Sequence, residues 1–132
     1  MSPELHINLA NLKSNIKFFQ RIIKNNTELS AVVKSDAYGL GIAKIVPEIQ
    51  RYGVRSFFTA TISEAIKIRS SSRDSEIFTL NGFDFLKSNL YREHNITPII
   101  NNILEAQKFI EIFNKTQKVA IQLNTGMNRL GL

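Results

Sequence analysis

AVVKSDAYGLG, residues Ala31 to Gly41, is the stretch from which the fold is read. It completes a compact, β-branched apolar run, Leu29 to Val33, which predicts a buried strand. Lys34 follows at once, and then come Ser35, Asp36 and two glycines that mark a turn. An ammonium at the end of an apolar strand is costly. Burial there disfavours the charged form, so the neutral amine that can act on a carbonyl becomes accessible. In α/β folds the carboxyl ends of the strands are where ligands bind. Taken by itself, the position also suits a lysine that simply reaches from the strand end to water. Tyr38 reads equally as a rim aromatic, and Gly39 with Gly41 as a plain strand-to-helix turn, because a lone GxG is weak grounds for a phosphate site.

Working outward, similar short runs recur at Ser56 to Ala60, Glu76 to Leu80, Thr97 to Ile100 and Lys118 to Leu123, each preceded by a helical stretch. Their spacing of roughly 20 to 26 residues is that of repeated β/α units. Helical crossovers make such strands parallel, and a parallel sheet needs cover on both faces or closure into a barrel. Upstream, Leu9, Leu12, Ile16, Phe19 and Ile23 step by three and four along one face of an amphipathic helix that Asn8 can cap. Before it, Leu5, Ile7 and Leu9 alternate with His6 and Asn8, which predicts a short strand. Thr61 and Glu64 form a capping box ahead of Ala65, Ile66 and Ile68, and Asn102 precedes a stripe of Ile103, Ala106, Phe109, Ile110 and Phe113. A helix over Ile42 to Tyr52 is expected to start late or kink at Pro47 and to end at Gly53. No linker divides the chain, which reads as one domain or part of one.

Composition narrows the possibilities further. The 132 residues, 43% of them apolar, suffice for a packed core. No apolar run approaches the roughly 20 residues of a membrane span, and MSPELHINL lacks the basic and apolar regions of a signal peptide, so a cytoplasmic location is expected. The absence of cysteine excludes disulfides, thiolate metal sites and a cysteine nucleophile. The net charge of +6 is scattered along the chain and reads as solvated surface, with no nucleic-acid footprint; part of it suits an anionic cofactor and substrate. His6 and His94 have no metal-ligand spacing with each other or with carboxylates, and no metal site is expected.

Two motifs carry a family resemblance. AVVKSDAYGLG resembles the pyridoxal-phosphate attachment motif of alanine racemases, where lysine, tyrosine and glycine keep these spacings. NTGMNRLGL, Asn124 to Leu132, is similar to the loop after that family's fifth strand, with Thr125, Gly126, Met127, Arg129 and Gly131 in place. A weaker similarity, beginning at LHINLANLKSNI, covers the rest. The resemblance implies an eight-stranded parallel β/α barrel followed by a β domain. This chain would hold the N-terminal part of the barrel, about five strands, as one truncated domain over residues 1–132, with the β domain absent and LHINL belonging to that domain.

By the same resemblance, Lys34 is the cofactor lysine and one catalytic base, serving the D-enantiomer. Tyr38 offers its hydroxyl to the cofactor phosphate, and Arg129 binds the cofactor's phenolic oxygen near the substrate carboxylate. The implied reaction abstracts the Cα proton of alanine and returns one from the opposite face, supplying D-alanine for peptidoglycan. The second base is a tyrosine of the β domain of the other subunit in a homodimer. Without the later strands, those containing Val32 and Val119 are expected to leave open edges that invite self-association. Two positions depart from the family: Gln122 stands where many members have a carbamylated lysine, and Asn124 replaces an aspartate, which puts the orientation of Arg129 in question. Both side chains also suit plain hydrogen bonding at the strand end. The alternatives are a noncatalytic cofactor binder or complementing chain, and a related barrel decarboxylase or short pyridoxal-phosphate homeostasis protein. Tyr38 and the TGMNRLG loop favour the racemase.

Overall fold

The computed structural model describes residues 3–114 and 116–132. Strands β1 (Ser30–Val32), β2 (Ser56–Thr59), β3 (Glu76–Thr79), β4 (Thr97–Ile100) and β5 (Ala120–Ile121) form one sheet in the order β1-β2-β3-β4-β5, and every pairing is parallel. Helices α1 (Leu9–Ile22), α3 (Ile42–Gln50), α4 (Ile62–Ser71), α5 (Ser88–Glu93) and α6 (Ile103–Phe113) fill the intervals, together with a short turn of a different kind, α2 (Lys34–Tyr38). All five strands coincide with the runs expected from sequence, each at or within its anticipated bounds.

Alternation along the strands separates two faces. Phe57 and Ile77, partners in the register, are fully buried against the helices in one core that also takes in Ile42, Ile45, Val46, Ala65, Ile68, Phe109 and Phe113. Phe58 and Phe78 are likewise partners but point the other way, half-buried and stacked with ring centroids 4.8 Å apart. An aromatic pair of this kind contributes about 0.5–1.5 kcal/mol beyond its buried area.

The caps predicted from sequence are in place. Asn8 Oδ1 accepts from the N–H groups of Ala10 and Asn11 at 2.9 and 3.2 Å, and Asn102 Oδ1 accepts from Glu105 N–H at 2.9 Å. Thr61 and Glu64 form the reciprocal capping box. Arg69 ties the end of α4 to the loop before β4, donating to the carbonyls of His94 and Asn95 at 2.8 Å each. Burial there pushes its guanidinium below the ordinary arginine value, with Asp74 opposing.

Several expectations are corrected. Residues Leu5 to Asn8 are exposed coil, because the alternating pattern meets no neighbouring strand to pair with among the described residues. β1 is an edge rather than a buried strand: its burial runs exposed, intermediate, exposed, and only Val33 beyond it is buried. α1 buries Ile16 alone; Leu9 and Phe19 of the predicted apolar face are 43% and 50% exposed. α3 neither starts late nor breaks at Pro47. Proline fits helical φ and forfeits one backbone bond, and packing of Ile42, Ile45, Val46 and Ile49 outweighs that loss. α5 and the 3-10 turn at Phe85–Lys87 had not been delimited from sequence.

Candidate functional site at the carboxyl ends of the strands

Lys34 opens α2, directly beyond the carboxyl end of β1. The turn that follows is left-handed: Ser35, Asp36, Ala37 and Tyr38 have φ of 53°, 54°, 57° and 56°. None is glycine, and each such residue costs about 1–2 kcal/mol relative to the right-handed form. Hydrogen bonds and burial hold it. Ala37 N–H donates to the Val33 carbonyl and Gly39 N–H to that of Ser35, both at 2.9 Å, so the turn has true helical closure. Ala37 is buried in the core. Asp36 fastens the exit: its carbonyl accepts from Gly41 N–H at 2.8 Å and its Oδ1 from Ile42 N–H at 3.0 Å. At the entrance, Ser35 N–H donates to Glu64 Oε1 at 2.6 Å.

Lys34 and Tyr38 stand at the two ends of this turn, four positions apart. Lys34 is half-exposed, so the deep burial anticipated at the strand end is only partial. Tyr38 is 62% exposed. Among the described residues no side-chain hydrogen bond or salt bridge engages Lys34, Tyr38 or Arg129. The fold therefore leaves an amine, a phenol and a guanidinium uncommitted at one end of the sheet.

Arg129 lies on the loop after β5, at the opposite edge of the sheet from β1. That loop folds back on itself. Asn124 N–H donates to the Leu132 carbonyl at 2.8 Å and Leu132 N–H to that of Gln122 at 2.9 Å. Asn124 Oδ1 accepts from the N–H groups of Gly126 and Asn128 at 3.2 and 3.0 Å, and Gln122 Nε2 donates to the Leu130 carbonyl at 3.2 Å. Gln122 and Asn124 thus organise the loop that presents Arg129, and among the described residues neither side chain hydrogen-bonds its guanidinium. Gly131 is required by the closure: at φ 110°, a Cβ there would lie 2.8 Å from Asn124 N and 3.0 Å from the Gln122 carbonyl oxygen.

Sequence reasoning missed two residues at this end of the sheet. Asn101, just past β4, is buried; its Nδ2 donates to the Leu80 carbonyl at 2.9 Å, while its Oδ1 is the buried side-chain atom without a partner among the described residues. Glu64 was read only as a cap. For neither does residue type or spacing carry a signal. The concavities that lie away from Lys34 include an apolar groove of about 370 Å³ between α1 and β1, lined by Leu12, Ile16, Phe19 and Leu29 among others, and a polar cleft of about 280 Å³ beyond β2 and β3. No helix is long and apolar enough to cross a membrane, and no group of three or more metal-ligating side chains occurs, among the described residues.

Comparison with known proteins gives a consistent result. The family described as alanine racemase, N-terminal domain, matches residues 7–132. The chain is 34% identical over 132 residues to an alanine racemase of Rickettsia africae, covering 97% of this chain and 37% of the relative. It is 37% identical over 108 residues to one from Methylobacterium nodulans, covering 80% of this chain and 29% of that protein. Among solved structures, the alanine racemase of Bartonella henselae with covalently bound pyridoxal phosphate superposes with a TM-score of 0.86 at 33% identity, over 96% of this chain and 36% of that one. The chain therefore spans about a third of the length of the relatives it matches.

Proposed function

The chain belongs to the alanine racemase family, corresponding to the N-terminal part of the family's barrel domain, and we propose that it furnishes the lysine side of a pyridoxal-phosphate site that interconverts L- and D-alanine. The observation that carries this reading is the uncommitted amine of Lys34 at the carboxyl end of β1, with the free hydroxyl of Tyr38 at the far end of the same strained turn. Strain held in place by surrounding contacts marks a functional position more often than a structural one. The donor set fits the cofactor: an amine for its aldehyde, a phenol for its phosphate, and a permanent cation for its phenolic oxygen.

When bound, pyridoxal phosphate delocalises the electron pair left at the substrate Cα, so that the proton there becomes removable. Lys34 would hold the cofactor, and its amine would take or return a proton at Cα on one face, that of D-alanine. Tyr38 would offer its hydroxyl to the phosphate. Arg129, presented by the closed loop after β5, would offer a permanent cation to the phenolic oxygen and the substrate carboxylate. Gln122 serves here through its bond to the Leu130 carbonyl, which steadies the loop with a neutral amide in place of an anion. The base for the opposite face comes from another part of the whole protein, a tyrosine of the partner subunit in a dimer, and the product serves peptidoglycan synthesis.

A one-sided base has a direct test. With pyridoxal phosphate in deuterated water, this chain should exchange the Cα proton of D-alanine with retention of configuration and leave L-alanine at least tenfold slower, as read by proton NMR and chiral chromatography. Full racemisation by these residues alone would overturn the one-sided assignment.

A further inference from the structure

We propose that Glu64 is a positioning residue for the Lys34 turn, a role that rests on the reading of Lys34 as the cofactor lysine. Ser35 immediately follows Lys34 and is the first residue of the turn with positive φ. The opening N–H groups of any helical turn lack internal partners. Ser35 N–H finds one in Glu64 Oε1 at 2.6 Å, across 29 residues of sequence. The other oxygen, Oε2, accepts from the N–H groups of Ala60 and Thr61 at 2.9 and 3.2 Å, at the carboxyl end of β2 and the start of α4. One carboxylate thus fastens the lysine turn to the next strand end through charge-assisted bonds, which are about twice as strong as neutral ones.

The molecule contains its own control. Glu105 stands in the same place on α6, where Oε2 accepts from Asn101 N–H at 2.9 Å. Its Oε1, however, accepts from the Asn102 side chain at 2.8 Å, within its own cap. Capping explains both oxygens of Glu105 and one oxygen of Glu64. The second oxygen of Glu64 is spent on the turn that carries Lys34 and Tyr38.

Substituting glutamine separates the two duties. A glutamine satisfies a capping box, so its carbonyl oxygen in Glu64→Gln stays on Ala60 and Thr61 and its amide group is left facing the Ser35 N–H, donor against donor. Three variants are compared with the parent chain: Glu64→Gln, Glu105→Gln, and Thr61→Ala, which weakens the α4 cap while leaving the Ser35 bond. The first readout is amide hydrogen exchange by mass spectrometry on peptides covering residues 34–41. The second is the rate at which pyridoxal phosphate becomes fixed to Lys34 under borohydride reduction.

Glu64→Gln should speed exchange in the turn, and slow fixation at Lys34, each by about tenfold; Glu105→Gln and Thr61→Ala should change neither by more than about twofold. Equal opening of the turn in Thr61→Ala and Glu64→Gln, or no opening in Glu64→Gln, would overturn the proposal. Should Glu64→Gln fail to fold, Thr61→Ala decides the same question, since an opened turn there assigns the effect to helix stability. If the parent chain fixes no cofactor at Lys34, the functional reading falls while hydrogen exchange still decides whether Glu64 holds the turn.

Discussion

The Lys34 side chain makes no hydrogen bond or ion pair among the described residues. Because it is half-exposed and unpaired at the end of an edge strand, Lys34→Ala should change unfolding free energy by no more than about 0.5 kcal/mol in urea titration. Fixation of cofactor should vanish in the same variant. Gly131 behaves in the opposite way. A methyl group there meets Asn124 N at 2.8 Å in a backbone conformation that L-residues avoid, so Gly131→Ala should open the loop at a cost of about 1–3 kcal/mol. Faster amide exchange across residues 122–132 checks this; an unchanged exchange pattern would mean the closure is not set by this contact. Lys34, Tyr38 and Arg129 could be singled out as candidates from the sequence because their chemistry and spacing coincide with two recognisable motifs. The left-handed turn was not. Four consecutive residues adopt a conformation against their local preference, and the partner at its entrance lies far away in sequence at Glu64.

At the level of elements, side-chain caps were readable, since a cap is a local bargain between a side chain and its own next turn. Asn8, Thr61 with Glu64, and Asn102 all cap as expected. Asn102→Ala should lower stability by about 1 kcal/mol, measured by urea unfolding followed by circular dichroism; no loss would mean Glu105 alone suffices at α6. Arg69 sets a larger effect. Its guanidinium serves the carbonyls of Ser72, Arg73, His94 and Asn95, a forked arrangement that an ammonium cannot reproduce. Arg69→Lys should therefore cost about 1.5–3 kcal/mol in the same titration. What depends on distant neighbours was harder to read. The alternation of Leu5 to Leu9 predicts a strand only if another strand lies beside it, and the apolar stripe of α1 predicts burial only if something covers it; among the described residues the first has no such strand and the second is covered around Leu12 and Ile16 but not at Leu9 or Phe19.

For the molecule as a whole, the recurrence of short apolar runs made the parallel sheet and its strand order readable, because successive β/α units place each strand beside the last. The same order leaves β1 and β5 as outer strands, with Val32 46%, Val119 39% and Ile121 61% exposed. Unpaired apolar edges template association, so this chain should sediment with an average mass that rises with concentration, and Ile121→Lys should shift the distribution toward monomer; a parent chain that stays monomeric would remove this expectation. The sheet also puts the Lys34 turn and the Arg129 loop at the same end but on opposite edges, with the ends of the intervening strands between them. The claim on which everything else depends is that Lys34 is the residue to which pyridoxal phosphate attaches. Incubation with the cofactor, reduction with borohydride and peptide mapping by mass spectrometry measure it directly. The predicted result is a single stable adduct on Lys34, absent in Lys34→Ala; an adduct spread over the surface lysines, or none, would contradict it.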